Sequence, residues 1–364
     1  MLAEDLFASR ARTKQVTTVF EGTRLLGPKL PIVNPPLWEI GHVGWFQERW
    51  CLRLRPDGTL DGSLLEGADA LYDSSAVAHD TRWDLPLPSL RATQDYLSAV
   101  LECVLEKLQR APDDERLRYF VRLATFHEDM HAEAFHYTCQ TLGYPDPLSS
   151  SSSRSSEEDV PPGDENQTEK DLAFAGGGFV LGAVPGREDF VFDNEKWAHE
   201  VGLEPFVIAA RPVSNAEFLA FVEAGGTPPR YWKKLEGVWL ERRFDEWRTL
   251  DGAAPVRHVD WNEAQAYCRW AKRRLPTEAE WECAAAHPQF RWGAVWEWTA
   301  SDFLPYPGFV ADPYKDYSEP WFGTHKVLRG ASFTTPRRLA CPTFRNFYQP
   351  HRSDVFCGFR TCQQ

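Results

Sequence analysis

The sequence predicts an α+β protein in two parts, a bundle of four long helices followed by a domain of short strands and short helices. Three observations point there. Residues 1–146 carry apolar residues at helical spacing over long runs with few breakers. Residues 147–170 are polar and low in complexity. From 171 to 364, glycine, proline and aromatic residues alternate with short apolar runs. A chain of 364 residues, 43% hydrophobic, is long enough for two cores.

The helices expected in the first part are Ala3–Glu21, Pro36–Arg53, Pro88–Gln109 and Asp114–Leu142. In the third, Ser89 is placed to cap the N-terminus, and Leu90, Tyr96, Leu97, Val100, Leu101, Val104 and Leu105 recur at helical spacing. The fourth runs without Gly or Pro until Gly143-Tyr-Pro145 stops it. Four such helices make an antiparallel bundle, an architecture that commonly holds metals between facing helices. The stretch Pro147-Leu-Ser-Ser-Ser-Ser-Ser-Arg154, continuing through Pro161-Pro-Gly-Asp-Glu, reads as a disordered linker. In the second part, Gly177–Gly182, Pro205–Ile208 and Lys326–Phe333 read as strands. Helices are expected at Ser214–Ala224, with Ser214 and Glu217 as a capping box, and at Trp261–Arg273.

Charge and composition exclude several partners. A formal charge of −13 disfavours nucleic acid and anionic membrane surfaces. No apolar stretch is long enough to span a bilayer. The start, Met1-Leu-Ala-Glu-Asp-Leu-Phe, lacks the basic and apolar regions of a secretory signal, so a cytoplasmic location is expected. The eight cysteines are scattered, with Cys357 and Cys362 the closest pair, and are expected as reduced thiols.

The chemistry is concentrated in His127-Glu-Asp-Met-His131-Ala-Glu133. Helical residues four apart lie one above the other, so His127 and His131 aim two imidazoles at one point. Neutral imidazoles converging in this way begin a transition-metal site. The bland alternative is two ordinary helix histidines. A third histidine lies in Trp38-Glu-Ile-Gly-His42-Val-Gly-Trp45-Phe-Gln-Glu-Arg49. There Trp38, His42, Trp45 and Arg49 follow the 4-3-4 spacing of one helix face. A buried histidine needs partners for its ring nitrogens, and a metal shared with His127 and His131 supplies one. A core histidine bonded to a carbonyl or carboxylate is the other reading. Glu133 sits roughly 200° round the helix from His131 and should point away from such a metal.

Six phrases carry a resemblance. They are Phe192-Asp-Asn-Glu, Pro212-Val-Ser-Asn-Ala-Glu-Phe, Arg274-Leu-Pro-Thr-Glu-Ala-Glu-Trp-Glu, Val295-Trp-Glu-Trp-Thr, Val327-Leu-Arg-Gly-Ala-Ser and Cys357-Gly-Phe-Arg. Together they resemble the formylglycine-generating-enzyme fold, a C-type-lectin-like domain, and the helical part resembles the DinB-like bundle. That combination is similar to the sulfoxide synthases of the ergothioneine and ovothiol pathways. The resemblance implies a mononuclear non-haem Fe(II) held by His42, His127 and His131. It also implies O₂-dependent bond formation between an imidazole carbon and a chalcogen. Three neutral ligands leave three positions on an octahedral ion for O₂, a soft anion and the substrate imidazole. Zinc suits three histidines too, but does not activate O₂. Asn346 matches a family asparagine that contacts hercynine, the betaine of histidine. A trimethylammonium group also invites aromatic faces, and Tyr348 is a candidate from the aromatic-rich C-terminal region.

Departures from the family pattern set the expected branch. Of two tyrosines three apart, the first of which donates a proton in actinobacterial enzymes, this chain keeps only Tyr306 and has Phe303 at the donor position. An arginine pair that clamps substrate carboxylates is here His79 and Arg82, so one bidentate clamp is lost. Met130 stands where many relatives carry a glutamine that touches hercynine. The segment His287–Val295 is shorter than the usual connection. These features resemble the selenoneine synthase branch, which joins hercynine to a neutral selenosugar. The alternative is an ergothioneine-type synthase that joins hercynine to cysteine or γ-glutamylcysteine, with Arg82 alone binding the carboxylate. A non-catalytic ligand-binding protein of the same folds would show no iron and no O₂ uptake. Formylglycine chemistry depends on a cysteine pair, and only Cys341 lies near Asn346.

Overall fold

The computed structural model describes residues 2–148, 171–188 and 190–364. The chain divides into two compact units, Met1–Ser151 and Ser152–Gln364, the first helical and the second mixed. From residue 149 on, the expected linker lies outside the described residues.

In the first unit α1 is Leu2–Val16, shorter than expected, because a 3₁₀ turn follows at Thr17–Val19. The run Val16-Thr-Thr-Val19 is β-branched throughout, and the Thr17 hydroxyl donates back to the Thr13 carbonyl at 2.7 Å; both features work against continuing an α-helix. Helix α2, Pro36–Glu48, opens on a proline whose missing N–H costs nothing at a helix start. It runs on as a π-helical turn, Arg49–Arg53. The five-residue helix α3, Ala68–Tyr72, was not expected from the sequence. In α4, Leu90–Arg110, the Ser89 hydroxyl accepts from the Ala92 N–H. In α5, Glu115–Leu142, the Asp114 carboxylate accepts from the Leu117 N–H, and Gly143 ends the helix at φ 66°, where a side chain would be strained.

Helix α1 packs on α5, and α2 packs on both α4 and α5. One buried side chain ties all four long helices together. The Arg10 guanidinium on α1 donates to Glu128 on α5 at 2.7 Å, to Gln47 on α2 at 3.0 Å and to the Leu97 carbonyl on α4. Arg10 and Glu128 are 2% and 1% exposed, so the pair is fully desolvated and each charge depends on the other.

Among the described residues the second unit holds thirteen short strands. In chain order these are β1 Leu172–Phe174, β2 Gly177–Leu181, β3 His199–Leu203, β4 Phe206–Ile208, β5 Trp232–Leu235, β6 Val238–Arg243, β7 Glu246–Thr249, β8 Arg273–Arg274, β9 Trp296–Asp302, β10 Lys326–Gly330, β11 Asn346–Tyr348, β12 Cys357–Phe359 and β13 Cys362–Gln363. They form sheets of order β1-β4-β13-β8 and β11-β10-β9-β12, a β2-β3 pair and a β5-β6-β7 meander. Within the second sheet only β12 and β9 run parallel. The helices are α6 Asn215–Glu223, α7 Trp261–Trp270 and α8 Glu278–Ala285. Each has a capping box: Ser214 with Glu217, Asp260 with Glu263, and Thr277 with Glu280. The sequence reading extended α7 to Arg273; the helix ends at Trp270 because Lys272 takes φ 53° and the next two residues join a sheet. It missed α8, although Thr277-Glu-Ala-Glu280 carries a start signal.

Four of the six phrases supply residues to this unit's internal ion pairs, through Glu278, Glu297, Arg329 and Arg360. Glu278 accepts from Arg329 at 2.8 Å and from Arg345 at 2.9 and 3.0 Å. Glu297 accepts from Arg360, and also from the Trp281 indole at 2.9 Å. Arg329, Arg345 and Arg360 are 0–1% exposed. All eight cysteines are free thiols. Among the described residues no helix is long and apolar enough to cross a membrane.

Candidate metal centre

The 4-3-4 face of α2 does not simply fill a core; it grips α3 and the turn after it. Trp38 donates its indole N–H to the Leu71 carbonyl at 2.6 Å, and Trp45 donates to the Asp69 carboxylate at 2.7 Å. Arg49 lies 3.6 Å from Asp73. Between them the His42 Nδ1 meets the Tyr72 carbonyl at 2.8 Å. A carbonyl only accepts, so Nδ1 carries the proton and Nε2 is left with its lone pair.

Helix α5 supplies the other two rings. His131 Nδ1 lies 2.6 Å from Glu39 Oε1, and Glu39 is 2% exposed on α2. The carboxylate accepts the Nδ1 proton and frees Nε2, the arrangement that commonly backs a metal-bound histidine. His127 lies flat against Phe46, with ring centroids 3.6 Å apart and planes 6° apart. Ligand atoms of His42, His127 and His131 all fall within 4.8 Å of one another, and no other group joins this cluster among the described residues. His127 and His131 bring their Nε2 atoms to 3.2 Å. Two nitrogens each ~2.1 Å from one ion and at right angles stand about 3 Å apart, so the spacing fits a shared metal. Burial first, then the neighbouring His131, push His42 and His127 well below the ordinary imidazole value. Both are neutral at pH 7, the form a metal needs. Glu133, buried at 8% exposure, stays outside the cluster.

Gly41 permits the contact that orients His42. A Cβ there would stand 2.3 Å from the Tyr72 ring. Gly41→Ala is therefore expected to push α3 away and loosen the Tyr72 carbonyl from His42. Metal affinity should fall by roughly 10–100-fold, the usual effect of losing such a partner. In an uncrowded helix the same change is stabilising by about 1 kcal/mol. A Co(II) titration with a melting curve separates the two cases; tighter packing with unchanged affinity would refute this account.

The other residues singled out in the sequence are more dispersed. His79 meets the Val33 carbonyl through Nε2 at 2.8 Å. Arg82, expected as a carboxylate clamp, already donates to Asn34 Oδ1 at 2.7 Å and to the Val77 carbonyl at 3.2 Å. Met130 is half-buried on α5. In the second unit, Asn346 and Tyr348 lie half-buried on β11, with Asn346 Oδ1 accepting the Phe347 N–H at 2.9 Å. Arg352 stands 5.2 Å from the Tyr348 ring. Phe303 is fully buried and stacks on Phe347 at 4.1 Å. Tyr306, expected to carry chemistry, has its hydroxyl engaged on both sides: it donates to Glu278 at 3.2 Å and accepts from Arg329 at 2.9 Å. Burial pushes that phenol up, which suits a fixed member of an ion-pair cluster better than a proton donor. The sequence reading missed Glu39 and the Tyr72 carbonyl. A carboxylate one turn before His42 on an aromatic helix was the available signal for the first; nothing local marks the second.

Comparison with known proteins agrees with this division. The sulfatase-modifying factor enzyme 1-like domain matches residues 156–293 and 289–364, and the DinB superfamily matches residues 6–135. A protein of Mycolicibacterium smegmatis called hercynine oxygenase is 30% identical over 99% of this chain and 97% of its own length. A formylglycine-generating enzyme of Streptomyces coelicolor is 30% identical over 46% of this chain and 79% of its own. Ergothioneine biosynthesis protein 1 of Schizosaccharomyces pombe is 29% identical over 47% of this chain and 27% of its own.

Proposed function

We infer the activity from membership: this chain belongs to the hercynine oxygenase family, which joins a DinB-superfamily bundle to a sulfatase-modifying-factor-like domain. We propose that it is an Fe(II) enzyme that uses O₂ to join hercynine to a chalcogen donor. The observation that carries this is the convergence of His42, His127 and His131. Three neutral imidazoles suit iron, which would supply O₂ activation and open positions for a soft anion. The chain's own residues prepare the site. Glu39 and the Tyr72 carbonyl orient two of the rings, and Phe46 shields the third. Asn346 is proposed to bind hercynine. Its Oδ1 is held by the Phe347 N–H, which leaves its NH₂ to donate to a carboxylate. Tyr348, two residues on in β11, is proposed to line the same substrate.

For the donor we propose a selenosugar, the reaction yielding a selenoneine precursor. Two features support this. Neither His79 nor Arg82 offers a free bidentate face for a thiol donor's carboxylate, and Phe303 has no hydroxyl to donate a proton. A neutral sugar needs no clamp, and a selenolate is softer and more readily coupled than a thiolate. The test loads the protein with Fe(II) without oxygen, then adds O₂, hercynine and one donor at a time, with products read by mass spectrometry. The selenosugar should couple well, whereas cysteine and γ-glutamylcysteine should be diverted toward sulfinic acids. Phe303→Tyr should raise coupling over dioxygenation for thiols without stopping selenium transfer. Efficient conversion of γ-glutamylcysteine by wild type would overturn the selenium reading and leave an ergothioneine-type synthase. No O₂ uptake with any donor would overturn the enzymatic reading itself.

A further inference from the structure

Five planar groups of the first unit lie one on another, with His42 in the middle. The Arg82 guanidinium sits 3.8 Å over the Trp38 ring. Trp38 is parallel to His42, with ring centroids 4.9 Å apart and planes 10° apart. Trp45 also stacks on His42, at 5.6 Å and 26°, and the Arg49 guanidinium stands 5.3 Å from that indole. Trp38 is itself pinned by its bond to the Leu71 carbonyl and is 1% exposed. An indole held between a guanidinium and an imidazole has no freedom to tilt, and the cation–π contact is strongest where water is excluded, as it is here.

Arg82 is also fastened from behind. One terminal nitrogen donates to Asn34 Oδ1, and the other to the Val77 and Ser74 carbonyls at 3.2 and 3.4 Å. Its Nε is buried without a partner. A guanidinium grips a carboxylate through two adjacent nitrogens. Each such pair includes a terminal nitrogen that is already committed, so no fork remains open. The charge is not idle: burial disfavours it, and the negative charge of Glu39, the group that holds His131, favours it.

We propose that Arg82 is a positioning residue of the metal centre, pressing Trp38 onto His42, and that it does not anchor a substrate carboxylate. This rests on the reading that the three histidines hold a metal. It adds that the donor binds without help from the one arginine left at the clamp.

Arg82→Met and Arg82→Lys are compared with wild type in two measurements. The first is Co(II) titration of the full chain, with the metal's visible absorption as the readout. The second is the KM of each chalcogen donor at saturating Fe(II). Arg82→Met should weaken Co(II) roughly 10-fold or more and alter the visible bands. Arg82→Lys, which keeps the charge but lacks the flat face, should recover only part of the affinity. Donor KM should stay within about threefold in both. A donor KM raised on the order of tenfold would overturn the proposal. So would Co(II) binding and bands unchanged in Arg82→Met. Should Arg82→Met not fold, Asn34→Ala frees one nitrogen and leaves the guanidinium in place; it should show the same loss of affinity, milder in size, and wild-type affinity there would count against the proposal. Wild-type protein that takes up no Co(II) would instead sink the metal reading on which this rests.

Discussion

Alanine in place of His42, His127 or His131 is expected to abolish turnover and to weaken Fe(II) or Co(II) binding by on the order of 100-fold or more. Loss of an outer partner alone costs 10–100-fold, and loss of a ligand should exceed that. The reason is geometric. Two of the rings have their Nδ1 protons placed on Tyr72 and Glu39, so their remaining nitrogens have no other purpose inside the bundle. Deleting one ring leaves two ligands and a void that neighbouring side chains do not fill with a donor, since the cluster has no fourth ligating group among the described residues. Thermal shift gives an independent readout. Wild type with metal at 100 times its dissociation constant should gain about 2.7 kcal/mol. Each alanine variant should gain almost nothing at the same concentration while keeping its helical circular dichroism. Full loading of any one variant would remove that histidine from the ligand set.

Glu278→Ala is expected to cost the second unit about 3–5 kcal/mol, the usual effect of breaking a buried ion pair by removing one partner. The carboxylate accepts from Arg329, Arg345 and Tyr306, and both arginines are almost completely buried. Burial alone would raise the Glu278 carboxyl, but the two guanidiniums outweigh it and hold the group below its ordinary value of 4.5. A depressed folded value means that this stabilisation is fully present well above pH 4.5 and is lost as the pH falls below 4.5 and through the lower folded value. Denaturant unfolding followed by tryptophan fluorescence at pH 7 and at a series of values falling below pH 4 checks both parts. The gap between wild type and variant should be wide at pH 7 and narrow in acid. An equal gap at both pH values would mean that packing, not charge, sets the cost.

The sequence made some of this legible and not the rest, for physical reasons. The i, i+4 spacing of His127 and His131 fixes their direction wherever the helix goes, so the pair could be read locally. His42 could be read because Trp38, Trp45 and Arg49 mark one face of α2. What that face meets could not be read. The carbonyl of Tyr72 is backbone, thirty residues on, and belongs to a helix of only five residues. Side-chain commitment was equally invisible. Arg82 and Tyr306 keep the residue types expected of a clamp and of a catalytic tyrosine. Their functional atoms, however, are already bonded to Asn34, Val77, Glu278 and Arg329. Domain texture survived translation into structure because it depends on composition averaged over many residues. Helix ends did worse where one backbone angle, as at Lys272, decides the matter.

The ion pairs of Glu278 and Glu297 separate ancestry from trade in this protein. Several of the phrases by which the second unit is recognised are its joinery, with the carboxylates and guanidiniums of these pairs buried in its interior. A change of donor, from sulfur to selenium or from acid to sugar, needs no edit to any of them. On the reading proposed above, it is written instead at positions such as His79 and Phe303, where the family pattern is broken. Kinship at this level therefore tells what the frame is, and the positions that break its pattern are where a donor preference is to be sought.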